Sequence, residues 1–186
     1  PGYGKTYTFW WSEGDKIWVG SQQSDPLTES NIYNGVDADF ALPSVPQSGD
    51  QVIYNMMANT SAEASTAVVP AEQDASKSLG ENGAFGQTEL YYVNSVYAFS
   101  LENEYKTNFV NFNIKALPSG ATLKSIRLDA GNAIVAGSAA WSSNDGWGEV
   151  SNGSSTIDLK VNKSSVSADD YITMVILPPA DMTIPS

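Results

Sequence analysis

Apolar and polar residues alternate with a period of two along most of this chain, while the 3.6-residue spacing of an amphipathic helix hardly occurs. The β-branched and aromatic run at 6–11 predicts a first strand. The turn formers Ser12-Glu13-Gly14-Asp15 follow, and Lys16-Ile17-Trp18-Val19 then predicts a second strand that closes a hairpin or tight corner. Residues 38–42 and 51–57 are the next strands, separated by Pro43, Pro46 and the turn Ser48-Gly49-Asp50. From 59 to 86 the composition shifts to Ala, Ser, Glu, Asn and Gly, which predicts a long loop region with one strand inside it, Ala67-Val68-Val69-Pro70. Beyond that the signal sharpens, and 90–99, 109–116, 122–129, 133–140, 155–161 and 171–177 read as strands of ordinary length. In the run 109–116, Phe109, Asn111, Asn113 and Lys115 alternate with Val110, Phe112, Ile114 and Ala116, giving a mostly polar and an apolar face. About ten short strands punctuated by Gly, Pro, Asn and Ser imply an all-β sandwich or barrel. No fixed-period repeat emerges and no second domain boundary is visible, so 1–186 reads as a single domain.

Composition narrows the chemistry. The 186 residues include no histidine and no cysteine, which removes the Ser-His-Asp triad, histidine metal sites, thiol nucleophiles and zinc knuckles. Carboxylate, tyrosine or lysine chemistry is what remains. Nine Lys plus Arg against 21 Asp plus Glu give a formal charge of −12, which repels nucleic-acid phosphates and anionic lipid. No apolar run reaches the length of a membrane helix. A chain opening at Pro1 without a charged-then-apolar leader reads as a mature or trimmed product.

Five tryptophans and nine tyrosines offer flat faces for sugar rings. Trp10, Trp11 and Trp18 occupy strand positions, where core filling is the expectation. Trp141 and Trp147 flank the polar loop Ser142-Ser143-Asn144-Asp145-Gly146 and are the candidate glycan contacts. Asn144, Asp145 and Glu149 supply oxygen atoms at short spacing, but the segment lacks the D-x-[DN]-x-[DN]-G calcium pattern and a hairpin turn accounts for Asn-Asp-Gly. Asp129, Asp158 and Asp169-Asp170 fall at strand edges or turns. A glycosidase needs two carboxylates at a defined separation. Glu89, Glu102, Glu104 and Glu149 are available, yet no spacing singles out a pair, and a nonenzymatic role without metal or cofactor is the expectation. Gly2-Tyr3-Gly4-Lys5 has the wrong spacing for a phosphate loop.

Several segments together carry a family resemblance. Trp11-Ser12-Glu13-Gly14-Asp15-Lys16-Ile17-Trp18-Val19 resembles the "tryptophan, glycine-aspartate, isoleucine-x-valine" opening of the fimbrillin-like proteins, fimbrial subunits of Gram-negative anaerobes. Val69-Pro70-Ala71-Glu72-Gln73 is similar to that family's "leucine-proline-x-glutamate-glutamine" stretch. Phe109 to Ala116 with Leu123-Lys124-Ser125-Ile126-Arg127-Leu128, then Ile134-Val135-Ala136-Gly137 and the late run from Tyr171 to Pro178, fall in the family's order. The resemblance spans about Trp11 to Pro178.

It implies a transthyretin-like antiparallel β-sandwich corresponding to the N-terminal domain of a two-domain protein. It also implies export as a lipidated precursor to the outer membrane, and assembly with other fimbrial subunits by β-strand addition, with a host protein or glycan as a further partner. Strand addition makes physical sense because an open sheet edge offers N–H and C=O groups to another chain. One departure stands out. Some members mature by cleavage after an arginine near the first strand, but the sole arginine here is Arg127, in a predicted central strand. The reading is therefore a structural or adhesive subunit of a cell-surface fimbrium; the alternative is a secreted carbohydrate-binding β-sandwich module using Trp141 and Trp147.

Overall fold

A computed structural model describes residues 10–166 and 171–178. The seventeen strands among the described residues begin with β1 (Trp18–Val19), β2 (Gln22–Gln23), β3 (Ile32–Tyr33), β4 (Asp37–Ala38) and β5 (Gln51–Asn55). The middle of the chain supplies β6 (Thr66–Val69), β7 (Glu72–Asp74), β8 (Phe85–Glu89), β9 (Tyr91–Val93), β10 (Val96–Ala98) and β11 (Asn108–Phe112). The last third adds β12 (Leu123–Asp129), β13 (Ala136–Ser142), β14 (Gly146–Trp147), β15 (Ser151–Ser154), β16 (Thr156–Lys163) and β17 (Ile172–Ile176). Among the described residues the only helical element is a 3-10 turn at Glu29–Asn31, and no helix is long and apolar enough to cross a membrane.

The strands form antiparallel sheets packed as a β-sandwich. One has the order β2-β1-β5-β8, another β12-β16-β7, and a third centres on β13, flanked by β6 on one side and by β15 and β14 on the other. β11 pairs with β17, and β9 with β10. Among the described residues only β7 runs parallel to its neighbour, β16; the other strand pairings are antiparallel. Buried residues from Ile17 to Leu177 make one continuous apolar cluster, with Val52, Tyr54, Phe85, Ile157, Leu159, Met174 and Val175 at its centre. Period-two patterning explains the layering: Ile157 and Leu159 of β16 turn inward while Asp158 and Lys160 turn out.

Polar residues in the core replace missing ladders. The carboxamide of Asn55, only 1 % exposed, donates to the carbonyls of Ala64 and Thr66, both at 2.9 Å, and accepts from the Met57 N–H. It thereby ties the loop after β5 to the start of β6. Asn82 does the same for the loop after β7, donating to Asp74 O at 2.9 Å and accepting from Asp74 N–H at 3.0 Å. Satisfying buried backbone groups through amide side chains keeps irregular segments inside the fold.

The boundaries differ from the sequence expectation in instructive places. Residues 90–99 are not one strand but a tight hairpin, because Asn94 and Ser95 both take left-handed φ values, 50° and 65°, and reverse the chain. The stretch 59–86 holds two strands, β6 and β7, and leads into a third, β8, where the residue types suggested one. Of the expected strand at 38–42 only Ala38 is in a strand, as the end of β4, and the one at 109–116 ends at Phe112, with Phe109 as well as Val110 packed on the core. Residues 6–9 of the expected first strand lie outside the described residues. Trp10 and Trp11 belong to no strand, although the Trp11 N–H reaches Gly35 O at 2.7 Å.

Candidate functional site

The sheet β12-β16-β7 presents the features that bear most directly on assembly. Its inner face is a cross-strand ladder in which Ile126 and Leu128 oppose Leu159 and Ile157, and Leu159 opposes Gln73. The outer face is charged. Arg127 grips Asp158 with two parallel bonds, Nε to Oδ1 at 2.7 Å and Nη2 to Oδ2 at 2.6 Å, and Lys160 reaches Asp74 at 3.1 Å. The guanidinium holds the Asp158 carboxyl below the usual carboxylate range. Hydrogen bonds from the Ser76 hydroxyl and N–H, then Lys160, pull Asp74 down to about 2.

Strand β12 is the margin of this sheet. Asp158 N–H bonds Ala71 O, and Lys160 O accepts from Ala75 N–H, so both residues aim their backbone groups toward β7. Their β12 partners, Arg127 and Ser125, are then non-hydrogen-bonded pairs whose N–H and C=O groups point away from the sheet. Among the described residues no hydrogen bond reaches these outward groups. Ile126 and Leu128 on the inner side are only half-buried, since among the described residues no strand lies beyond them.

Gln73 closes a different margin. It is 4 % exposed, and its carboxamide donates to Val175 O at 2.7 Å and accepts from Val175 N–H at 3.0 Å, as a neighbouring strand would. The next outward N–H on that side of β17, from Leu177, goes to Val135 O at 2.8 Å. Asp15 is a second buried polar anchor, in the turn before β1. Only 1 % exposed, it accepts from Ser12 N–H at 2.9 Å and from the Tyr54 hydroxyl at 2.8 Å. Burial raises its pKa to about 6 against the lowering effect of those two bonds, and the same burial raises Tyr54.

The tryptophans divide. Trp18 is buried and Trp11 packs edge-on against Phe40 and Tyr54, whereas Trp10 is 60 % exposed, its ring lying against Gly35. Trp141 and Trp147 oppose one another across β13 and β14, half-buried, with ring centroids 5.2 Å apart at 68°. Phe85 lies 5.9 Å from Trp147, and the Lys106 ammonium lies 5.5 Å from the Trp141 ring centroid while ion-paired to Glu104 at 2.8 Å. Trp141 also walls an open groove of about 410 Å³ with Gln51, Gln87, Glu89, Glu104 and Lys106. Gln87 donates to Gln51, and Gln51 to Glu89, at 2.7 and 3.3 Å. Trp147 does not line that groove.

Of the carboxylates considered for glycosidase chemistry, Glu89 and Glu104 share this groove, while Glu102 and Glu149 lie elsewhere. The loop between the tryptophans is a turn: the Ser142 hydroxyl accepts from Asn144 and Asp145 N–H, both at 3.2 Å, and contacts Asp145 Oδ2. No cluster of three or more metal-ligating side chains occurs among the described residues. Asp129 accepts from Gly131 N–H in the turn that ends β12. Gly2 to Lys5 and Asp169-Asp170 lie outside the described residues.

The roles of Gln73, Asn55 and Asn82 were not visible in residue types alone. The sole hint for Gln73 was its place at the end of the Pro70-Ala71-Glu72-Gln73 stretch. No family model, no curated protein and no solved structure matches the chain.

Proposed function

We propose that this chain is a nonenzymatic structural or adhesive subunit of a cell-surface fimbrium, exported through a lipidated precursor and assembled by strand addition between protomers. The observation that carries the reading is the margin of β12, unpaired among the described residues, with outward backbone groups at Ser125 and Arg127 beside half-covered Ile126 and Leu128. An incoming strand would satisfy the ladder, fix its register, and cover the two aliphatic side chains at roughly 25 cal/mol per Å² of apolar surface buried. Lys124 on this edge strand discourages two copies of β12 from pairing with each other. The resemblance to fimbrillin-like proteins, with the transthyretin-like topology it implies, adds to this reading; its glycine-aspartate and glutamine positions fall on the buried Asp15 and Gln73.

The test is polymer formation. The chain, supplied with a subunit partner and run on native and unboiled SDS gels, is expected to give a concentration-dependent ladder. Ser125→Pro, which removes an outward donor from an edge strand that tolerates proline, is expected to abolish the ladder without lowering Tm. A ladder unchanged by that substitution rules out β12 as the acceptor.

A secreted carbohydrate-binding module remains the second reading, favoured by the groove where Trp141 meets the Gln87–Gln51–Glu89 relay. Binding on a glycan array that disappears in a Trp141→Ala and Trp147→Ala double variant would support it; an array with no signal removes it.

A further inference from the structure

The least expected surface is the β9–β10 hairpin. Tyr91, Tyr92, Val93, Val96 and Tyr97 are five of the eleven large hydrophobic side chains exposed among the described residues, with fractional exposures from 36 to 60 %. They occupy both faces of the ribbon. Val93 opposes Val96, and Tyr91 opposes Ala98, on one face; Tyr92 opposes Tyr97 on the other, their ring centroids 4.7 Å apart. The two-residue turn makes Val93–Val96 the bonded pair, so Tyr92 and Tyr97 form a non-bonded pair whose N–H and C=O groups face outward. Among the described residues no hydrogen bond reaches those groups. Near the base, the outer side of β9 is closed where Leu90 exchanges bonds with Gly49 and Asp50, so the margin beside Tyr97 is the more open of the two.

An isolated two-stranded ribbon is marginal in water, and a concentrated apolar patch signals an interface. Charge then selects the partner. Residues 90–101 contain no charged side chain, within a chain of net charge −12, and acidic Glu89 and Glu102 bound the segment. Copies of this chain repel one another over most of their surface but not here. The ribbon is also self-complementary: across a two-fold axis, the outward N–H and C=O of Tyr97 match those of the same residue in a second copy, and the tyrosine faces extend the contact.

We propose that β9–β10 is the surface through which two copies of this chain associate, hairpin against hairpin. The contact is separate from strand addition at β12 and does not require it.

Sedimentation velocity over a wide concentration range tests this. The wild type is expected to pass from monomer to dimer, and a Tyr92→Lys and Tyr97→Lys double variant to remain monomeric at every concentration with an unchanged Tm, since both side chains are exposed. Ser125→Pro is expected to dimerise like the wild type. Because the chain has no cysteine, a second arm is independent of any folding defect. Val96→Cys is expected to form disulfide-linked dimers several-fold faster than Val45→Cys, placed at a still more exposed valine. Equal cross-linking rates, a dimer that survives the double lysine variant, or a dimer lost only in Ser125→Pro would overturn the proposal; the last would leave strand addition standing. A wild type that stays monomeric yet floats with phosphatidylcholine vesicles overturns it in favour of a bilayer surface.

Discussion

Gln73 and Val175, 102 positions apart in the chain, exchange two hydrogen bonds so that one side-chain amide serves β17 as a strand would. Leucine at position 73 would keep the volume and leave the Val175 N–H and C=O buried without partners, a loss of roughly 2 to 4 kcal/mol for the two groups together. Gln73→Glu separates hydrogen bonding from packing. Its carboxylate still accepts from Val175 N–H but faces the lone pairs of Val175 O, whereas the protonated acid can donate to that oxygen. Urea denaturation is expected to find Gln73→Glu strongly destabilised at neutral pH and partly recovered at acidic pH. Gln73→Leu should show no such recovery.

Asp15 gives the fold a pH dependence of unusual sign. Burial raises its pKa from 3.8 to about 6 in the folded chain, so the folded state holds this proton more tightly than the unfolded state. Stability from Asp15 is therefore fully present below about pH 4 and is lost as pH rises through 6, an effect on the order of 3 kcal/mol. Asp74 and Asp158 act in the opposite direction, since their lowered pKa values contribute stability that fades only as pH falls below the ordinary carboxylate range. Both are solvent-screened and small contributors. Denaturation midpoints measured from pH 4 to 7 are expected to decline for the wild type and to flatten in Asp15→Asn. A wild-type midpoint that rises across this window would contradict the assignment.

The all-β architecture was legible because alternation, β-branched residues and turn formers agree over most of the chain: Leu123–Asp129 and Ile172–Ile176 lie within the runs that the pattern picks out. What escaped is what tertiary context decides. β7, Glu72-Gln73-Asp74, has poor strand propensity and exists because β16 offers it a parallel ladder. The reversal at Asn94-Ser95 lacks the glycine that usually announces such a turn, so a hairpin reads as one long strand. The openness of β12 was hidden as well, since which side of a strand goes unpaired depends on the arrangement of the whole sheet. The loop between Trp141 and Trp147 is what sequence shows of them, whereas the structure makes them a cross-strand pair in which Trp147 packs on Phe85.

The same reversal yields a stabilising substitution. Ser95 holds a φ of 65° at the second turn position, where a side chain is a steric burden and glycine is the preferred residue. Ser95→Gly is expected to stabilise the hairpin by about 0.5 to 1 kcal/mol, the usual scale of such relief set against the added chain entropy of glycine. Amide hydrogen exchange at Tyr91 and Val93 is the appropriate measure, because a peripheral ribbon opens locally before the core unfolds. Slower exchange confined to residues 91–98 is the expected result, and unchanged exchange would mean that the turn is not what limits hairpin stability.

Gly137 supplies the sharpest steric prediction. It sits in β13 at φ 136° with the β15 backbone crossing close by; a Cβ built there would lie 2.8 Å from Ser151 O and 2.7 Å from Val150 Cγ1. The β13–β15 register shifts between Ala136 and Ser138, so the close approach coincides with the irregularity that bends this strand. Alanine would have to push a backbone carbonyl aside while holding a φ that L-residues avoid, at a cost of roughly 1 to 3 kcal/mol. Gly148→Ala is the matched control, since its nearest neighbour would be Ala140 O at 3.5 Å, an ordinary contact. Thermal denaturation is expected to show a clear drop in Tm for Gly137→Ala and little change for Gly148→Ala. Equal effects would mean that the tight crossing of β13 and β15 relaxes at no cost.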